Sequence, residues 1–277
     1  MTLVDIARAL DRELASFVAP PPVRLIYRPL AYAWRPASAY LARYGDAPAP
    51  GRTLLVGMNP GPFGMAQTGV PFGDVHFVRS FLGIDQPVER PPEQHPKRPV
   101  DGFACARSEV SGTRLWGWAE ARFGSAEAFF AHYFVYNWCP LVFMEAGGKN
   151  VTPDQLAAGP RRALTAACDR ALVATCRALE CARVVGIGGF AAERCRRALA
   201  AAGVSLPVDA VLHPSPASPA ANRGWAAQAT ATLAALGLPT GSAARPPAAA
   251  PVAGRSPSPT LARSGGTGRH TAGRRRR

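Results

Sequence analysis

The six cysteines of this chain (105, 139, 168, 176, 181 and 195) form no C-x-x-C pair. Cys168, Cys176, Cys181 and Cys195 fall on segments that read as helices, where a small apolar thiol is an ordinary packing residue. Together the six read as reduced thiols of a cytosolic protein. Lysine is almost missing: only Lys97 and Lys149 stand among 32 basic residues, a bias that fits GC-rich coding. So little lysine leaves few amines for Schiff-base chemistry. No apolar run reaches the ~18 residues needed for a transmembrane helix. Charges begin at Asp5 near the N-terminus, so no signal peptide is expected. From Pro239 onward acidic and aromatic residues are both absent, while eight Arg remain. That segment cannot bury enough apolar surface to offset its ordering entropy. One domain over residues 1–238 and a disordered Arg/Pro/Ala/Gly-rich tail over 239–277 are expected.

Basic charge is abundant. The net formal charge is +14, with +8 in the tail and +6 in the rest, and both portions favour a polyanion. Four apolar runs read as strands: Thr53–Val56, Tyr133–Cys139, Ala182–Gly189 and Val208–His213. Helical spacing marks residues 2–18, Asp74–Leu82 with Asp74 as N-cap, Thr113–Phe123, Ser125–Ala131, Arg161–Leu179, Phe190–Ala201 and Pro219–Leu236. The proline-rich, charged stretch Pro87–Pro99 reads as a surface loop. Strands alternating with helices predict a parallel sheet covered on both faces.

The most informative stretch is GMNPGPFGMAQTGVPFG, Gly57 to Gly73, directly after the first strand. Its prolines and glycines force a tight, irregular loop where open α/β sheets bind ligands, outside the carboxyl ends of the strands. Asn59 and Phe72 lie on this loop. Asn137 ends the second strand, and the fourth runs into His213-Pro-Ser-Pro216. These residues could converge at one sheet edge; equally, Asn59-Pro60 could be a turn, Phe72 a core ring and His213 a helix cap. Trp116 and Trp118 read as core. His95-Pro-Lys-Arg98 fits a phosphate contact or a solvated loop equally well. A rival signal is Gly186-Ile-Gly188-Gly-Phe-Ala191 with Asp209 beyond it, a dinucleotide-binding pattern placed after the third strand instead of the first.

Several long, ordered segments resemble the single-strand-selective monofunctional uracil-DNA glycosylases, the SMUG branch of the uracil-DNA glycosylase superfamily. They are YAWRPASAYLARYG (Tyr32–Gly45), the Gly57–Gly73 loop, HPKRPV (His95–Val100), RSEVSG (Arg107–Gly112), NWCPL (Asn137–Leu141) and HPSP…NRGW (His213–Trp225). The resemblance spans about residues 20–238. It implies a three-layer α/β/α fold with a central, mainly parallel four-stranded sheet. It also implies excision of uracil, and of oxidised uracils such as 5-hydroxymethyluracil, from single- and double-stranded DNA in base excision repair. No cofactor, metal, iron–sulfur cluster or membrane is implied, and a monomer is expected. The expected setting is cytoplasmic, nucleoid-associated and bacterial. A non-catalytic DNA-binding member of the fold is the alternative.

By the resemblance, His213 is the electrophile at the uracil O2 and Asn59 positions the attacking water. An amide has no useful basicity, so Asn59 orients water without taking its proton. Asn137 reads the N3–H and O4 edge, Phe72 stacks on the flipped base, and Met58 and Gly61 line the pocket. Ser215, Pro216, Ala217, Ser218, Asn222 and Arg223 fall on the DNA-binding loop. One position departs: Ala217 stands where the family usually places a wedging Arg, which puts base flipping from duplexes in doubt.

Overall fold

The computed structural model describes residues 1–242. Thr53–Gly57 (β2), Tyr133–Asn137 (β3), Arg183–Ile187 (β6) and Val208–Val211 (β7) form a parallel sheet in the order β3-β2-β6-β7. All five residues of β2 are buried, as befits a central strand covered on both faces. The four strands expected from the sequence are therefore present, β2 running one residue further than expected and the other three trimmed by one or two residues at their ends.

Two groups of helices flank this sheet. Leu3–Glu13 (α1) packs on Ala158–Ala178 (α8), α8 packs on Gly189–Ala201 (α9), and α9 lies on β6 and β7. Val110–Phe123 (α6), Ala126–Phe130 (α7) and Trp225–Ala235 (α11) form the second group, with α7 against β3 and α11 against β7. Short helices Pro29–Tyr32 (α2), Trp34–Tyr40 (α3), Met65–Thr68 (α4), Val75–Ser80 (α5) and Pro219–Asn222 (α10) complete the set. Thr2 and Asp5 close a capping box on α1, and its apolar stripe Leu3, Ile6, Ala7 and Leu10 is buried. Asp74 caps α5 as expected, accepting from the His76 N–H.

Several expectations need correction. A second, antiparallel sheet of Val23–Tyr27 (β1), Val142–Glu145 (β4) and Asn150–Val151 (β5) was not legible in the sequence. Its longer strands pair residues more than 100 positions apart, and β5 is two residues long. The helix expected over Pro219–Leu236 is two helices, broken at Gly224 with φ +104. The long helix begins at Ala158, before Pro160, because first-turn N–H groups need no helical partner. Cys181 lies in the turn after α8, not on a helix; all six cysteines are buried and unpaired with one another. Pro87–Pro99 is a loop without regular structure, yet His95 within it is buried. Its Nε2 bonds Ala146 O at 3.1 Å and its Nδ1 accepts from Lys97 N–H at 3.1 Å. His95 is thus a structural pin, not a phosphate contact.

The proposed domain boundary at 238 falls short. Tyr133 donates to Pro239 O at 2.5 Å, and Arg122 holds Thr240 O and Gly241 O, each at 2.7 Å. The expectation of disorder concerns the remaining residues, which lie outside those described.

Candidate active site

The carboxyl edge of the parallel sheet opens into a cavity of about 690 Å³. Met58, Asn59, Gly61, Phe72, Asn137 and His213 line it, joined at the mouth by Ser215 and Pro216. The convergence follows from the parallel register: Gly57 pairs with Asn137, so the residues after β2 and at the end of β3 emerge side by side. The pairing continues past the strands, with Trp138 N–H on Gly57 O and Cys139 N–H on Met58 O, both 2.9 Å. Trp138 also donates to Asp169 at 2.8 Å, which fixes the end of β3.

Asn137 is 5% exposed. Its Nδ2 faces Met65 Sδ at 3.5 Å, and its Oδ1 is buried with no partner in the protein. An unpaired buried acceptor costs about 1–3 kcal/mol, so this one marks a place for an incoming donor. Asn59 directs Nδ2 to Pro60 O and Leu141 O, both 3.4 Å, leaving Oδ1 as its free acceptor. Phe72 is buried with φ +55, a rare backbone state for a bulky residue. Its ring lies against Gly57, where a Cβ would come within 2.6 Å, and 6.1 Å from the His213 ring. Backbone strain of this kind collects at binding sites, where the surroundings hold it in place.

Burial lowers the pKa of His213 below the ordinary histidine value, so its imidazole is neutral at neutral pH. A neutral ring can still donate one N–H to a developing anion. His213 approaches closely because Gly188, φ +96, has no side chain: a Cβ there would sit 3.2 Å from His213 Cβ. Gly186 likewise admits α9, since its Cβ would fall 2.2 Å from Ala192 N. The glycines of the dinucleotide-like pattern thus serve packing and the approach of His213. Asp209, the rival pattern's acidic residue, is paired with Arg183.

The rest of the expected DNA loop lies outside the cavity lining. Ser218 caps α10 through Ala221 N–H, and Ala217 N–H donates to Ser215 Oγ at 3.1 Å. Asn222 is a brace: its Nδ2 holds Pro216 O at 2.9 Å, while its Oδ1 accepts from Arg114 at 2.8 Å. Arg114 also holds Pro214 O and Ser215 O, a role nothing in the sequence signalled. Arg223 is exposed.

Sequence reasoning missed three further residues on the cavity wall, Arg107, Lys149 and Glu109; Arg98, weighed in the sequence as a phosphate contact or part of a solvated loop, lines the same wall. Arg107 and Arg98 stack over Phe63, 4.2 and 5.4 Å from the ring centre. Lys149, distant from every loop motif in the sequence, reaches this wall from the turn between β4 and β5 and pairs loosely with Glu145 at 3.8 Å. Burial raises the Glu109 carboxyl above its ordinary pKa. The proline-free RSEVSG segment carries a lone glutamate, and only its placement beside the glycine loop distinguishes it from a surface charge. A separate groove of about 760 Å³ between Trp138, Phe190, Arg161 and Arg194 contains none of the strand-end residues. Among the described residues no group of three or more His, Cys, Asp or Glu could hold a metal ion, and no helix is long and apolar enough to cross a membrane.

Comparison with known proteins agrees with this geometry. The profile of the uracil DNA glycosylase superfamily matches residues 44–234. The chain is 49% identical over 229 residues to the single-strand selective monofunctional uracil DNA glycosylase of Mus musculus, covering 83% of this chain and 81% of the relative. The Bos taurus protein of that name is 48% identical over 229 residues, covering 83% and 84%. In fold, the crystal structure of SMUG2 from Pedobacter heparinus superposes with a TM-score of 0.61 at 20% identity, over 86% of this chain and 97% of that one. With the profile spanning the parallel sheet and every strand-end residue of the cavity, this chain belongs to the uracil-DNA glycosylase superfamily.

Proposed function

We propose that the protein is a monofunctional DNA glycosylase that excises uracil, and oxidised uracils such as 5-hydroxymethyluracil, from DNA and leaves an abasic site. The observation that carries this reading is the unpartnered, buried Oδ1 of Asn137 in the same cavity as Asn59 and His213. Uracil offers N3–H to that oxygen and O4 to the amide Nδ2; cytosine presents a lone pair at N3 and leaves the acceptor unpaired. Phe72 stacks on the flipped ring. His213 donates to O2 as the C1′–N1 bond lengthens and negative charge gathers on the base. Met58 and Gly61 bring backbone close to the base, and Asn59 Oδ1 orients the water.

Names of the mammalian relatives support a preference for single strands. Ala217 supports the same preference, because it offers no side chain to fill the gap left by an extruded base. The protein works as a monomer on DNA, with Arg98, Arg107 and Lys149 facing phosphates around the cavity mouth. The setting is cytoplasmic and nucleoid-associated in a bacterium.

The deciding experiment incubates the protein with an oligonucleotide bearing one uracil and measures free uracil and strand integrity. Uracil release with an intact abasic product is expected. Lys149 on the cavity wall gives this test its edge: borohydride trapping of a protein–DNA adduct would overturn the monofunctional reading.

A further inference from the structure

Glu109 is the one carboxylate on the cavity wall, and neither base recognition nor leaving-group stabilisation uses it. Its backbone is fixed independently of its carboxyl. The Asp74 carboxylate accepts from Glu109 N–H at 3.0 Å, from Ser108 Oγ at 2.9 Å and from Thr113 Oγ1 at 3.3 Å. From there the side chain crosses two glycines of the motif loop. A Cβ on Gly61 would lie 2.6 Å from Glu109 Oε2, and one on Gly64 would lie 2.9 Å from its Cγ. Any side chain at either position would displace the carboxylate, so both glycines make room for it.

Glu109 Oε1 accepts a long bond from Ser111 N–H, 3.4 Å, while Oε2 has no hydrogen-bond partner among the described residues. Asn59 stands two residues before Gly61 and has committed its Nδ2 to backbone carbonyls. Two free acceptors, Asn59 Oδ1 on the motif loop and Glu109 Oε2 reaching across its glycines from the start of α6, therefore border one cavity. A water has two O–H bonds to give, one to each, and its lone pair then remains for C1′.

We propose that Glu109 is the proton acceptor for the attacking water. As the water oxygen bonds to C1′ and the C1′–N1 bond breaks, one proton stays shared with Asn59 Oδ1 and the other passes to the Glu109 carboxylate. Uracil departs with the N1 electron pair, held at O2 by His213. Glu109 then returns its proton to solvent or to the departed base, giving a 1′-hydroxyl sugar and neutral uracil. This assignment rests on the glycosylase reading above and supplies the basicity that the Asn59 amide lacks.

Burial, with a further push from the Asp74 charge, brings the basicity of Glu109 nearer to working pH, the direction a general base needs. Arg98, Arg107 and Lys149 on the same wall and His213 on the second loop complete the ionisable groups around it.

The test is single-turnover excision from a saturating single-stranded uracil oligonucleotide across a pH series. The wild-type rate falls as acid protonates Glu109. Glu109→Gln should be roughly 10²-fold slower at neutral pH and lack that limb, with unchanged DNA affinity and melting temperature. His213 titrates in both proteins, so the difference between the profiles belongs to Glu109. Azide, a nucleophile with no proton to lose, should accelerate Glu109→Gln and leave His213→Ala slow. Wild-type rate and profile in Glu109→Gln would overturn the assignment, as would a slowed variant that azide does not accelerate. Should Glu109→Gln fold poorly, Glu109→Asp decides: it keeps the acid limb at a lower rate, and its loss would overturn the proposal. A wild-type protein that releases no uracil would defeat the glycosylase reading itself.

Discussion

The two loops that build the cavity are made to opposite specifications. In the Gly57–Gly73 loop every residue from Gly64 onward is buried. Its backbone is bolted from several directions: Tyr32 donates to Ala66 O at 2.7 Å, Trp116 to Pro71 O at 3.3 Å, and Gln67 to Pro62 O and Pro99 O. The His213–Ser218 loop exposes Pro216 and Ala217, and Arg114 and Asn222 are its main tethers from outside. A loop that must read a base to a few tenths of an ångström gains from fixed surroundings. A loop that meets a bent, unstacked strand gains from exposure. In the proposed reading the rigid loop carries the water and stacking positions, and the exposed one carries the leaving-group histidine at its root and the DNA contact at its tip.

The largest effect should come where the exposed loop enters the chemistry. His213→Ala removes charge stabilisation at the base and is expected to slow single-turnover excision about 10²–10³-fold, whereas Asn59→Ala slows water capture and leaves uracil recognition intact. Equal rates for wild type and either variant would dissolve that division of labour. Breaking the fixed loop from behind is the next test. A Cβ on Gly112 would fall 2.0 Å from Phe72 O, a backbone atom that cannot turn aside. Gly112→Ala should cost about 1–3 kcal/mol in denaturant unfolding and weaken uracil binding along with it, since Phe72 must move.

Ala217→Arg sharpens the comparison from the other side. It should raise activity on U·A duplex several-fold and slow product release, with little change on single strands, because unstacking costs a few kcal/mol in duplex and least in single strands. Equal activity of the two proteins on U·A duplex would assign the wedge to another residue, with exposed Arg223 the first to test. The smallest effect on rate belongs to deletion of residues 243–277. This removes eight Arg and should flatten the salt dependence of DNA binding while leaving the saturated single-turnover rate unchanged.

The same contrast explains what the sequence could tell. Buried parallel strands write themselves as apolar runs, so β2, β3, β6 and β7 and the residues at their ends were legible. Asn59, Asn137 and His213 were found because each stands on or beside a strand end, and Phe72 because it closes the same loop as Asn59. The antiparallel sheet was not legible, because β1 and β4 are short and pair residues more than 100 positions apart. Glu109 and Lys149 reach the cavity from a helix start and a turn, where only tertiary contact assigns direction. The positive φ of Phe72 left no mark, since aromatic residues rarely adopt it. The resemblance supplied the roles; spacing alone left turn, core and cap readings open.

The unpartnered oxygen of Asn137 has a thermodynamic consequence. The folded chain keeps an acceptor whose complement lies outside its own sequence, so the protein alone is not at its stability optimum. Whatever satisfies that oxygen in the native state and not in the unfolded chain raises the melting temperature by mass action. Free uracil, the product, is such a molecule. Replacing Asn137 with an apolar residue of similar size would relieve the same unmet bond permanently, giving a hardier protein that no longer distinguishes its base. In the proposed reading, selectivity at Asn137 is maintained against the grain of stability.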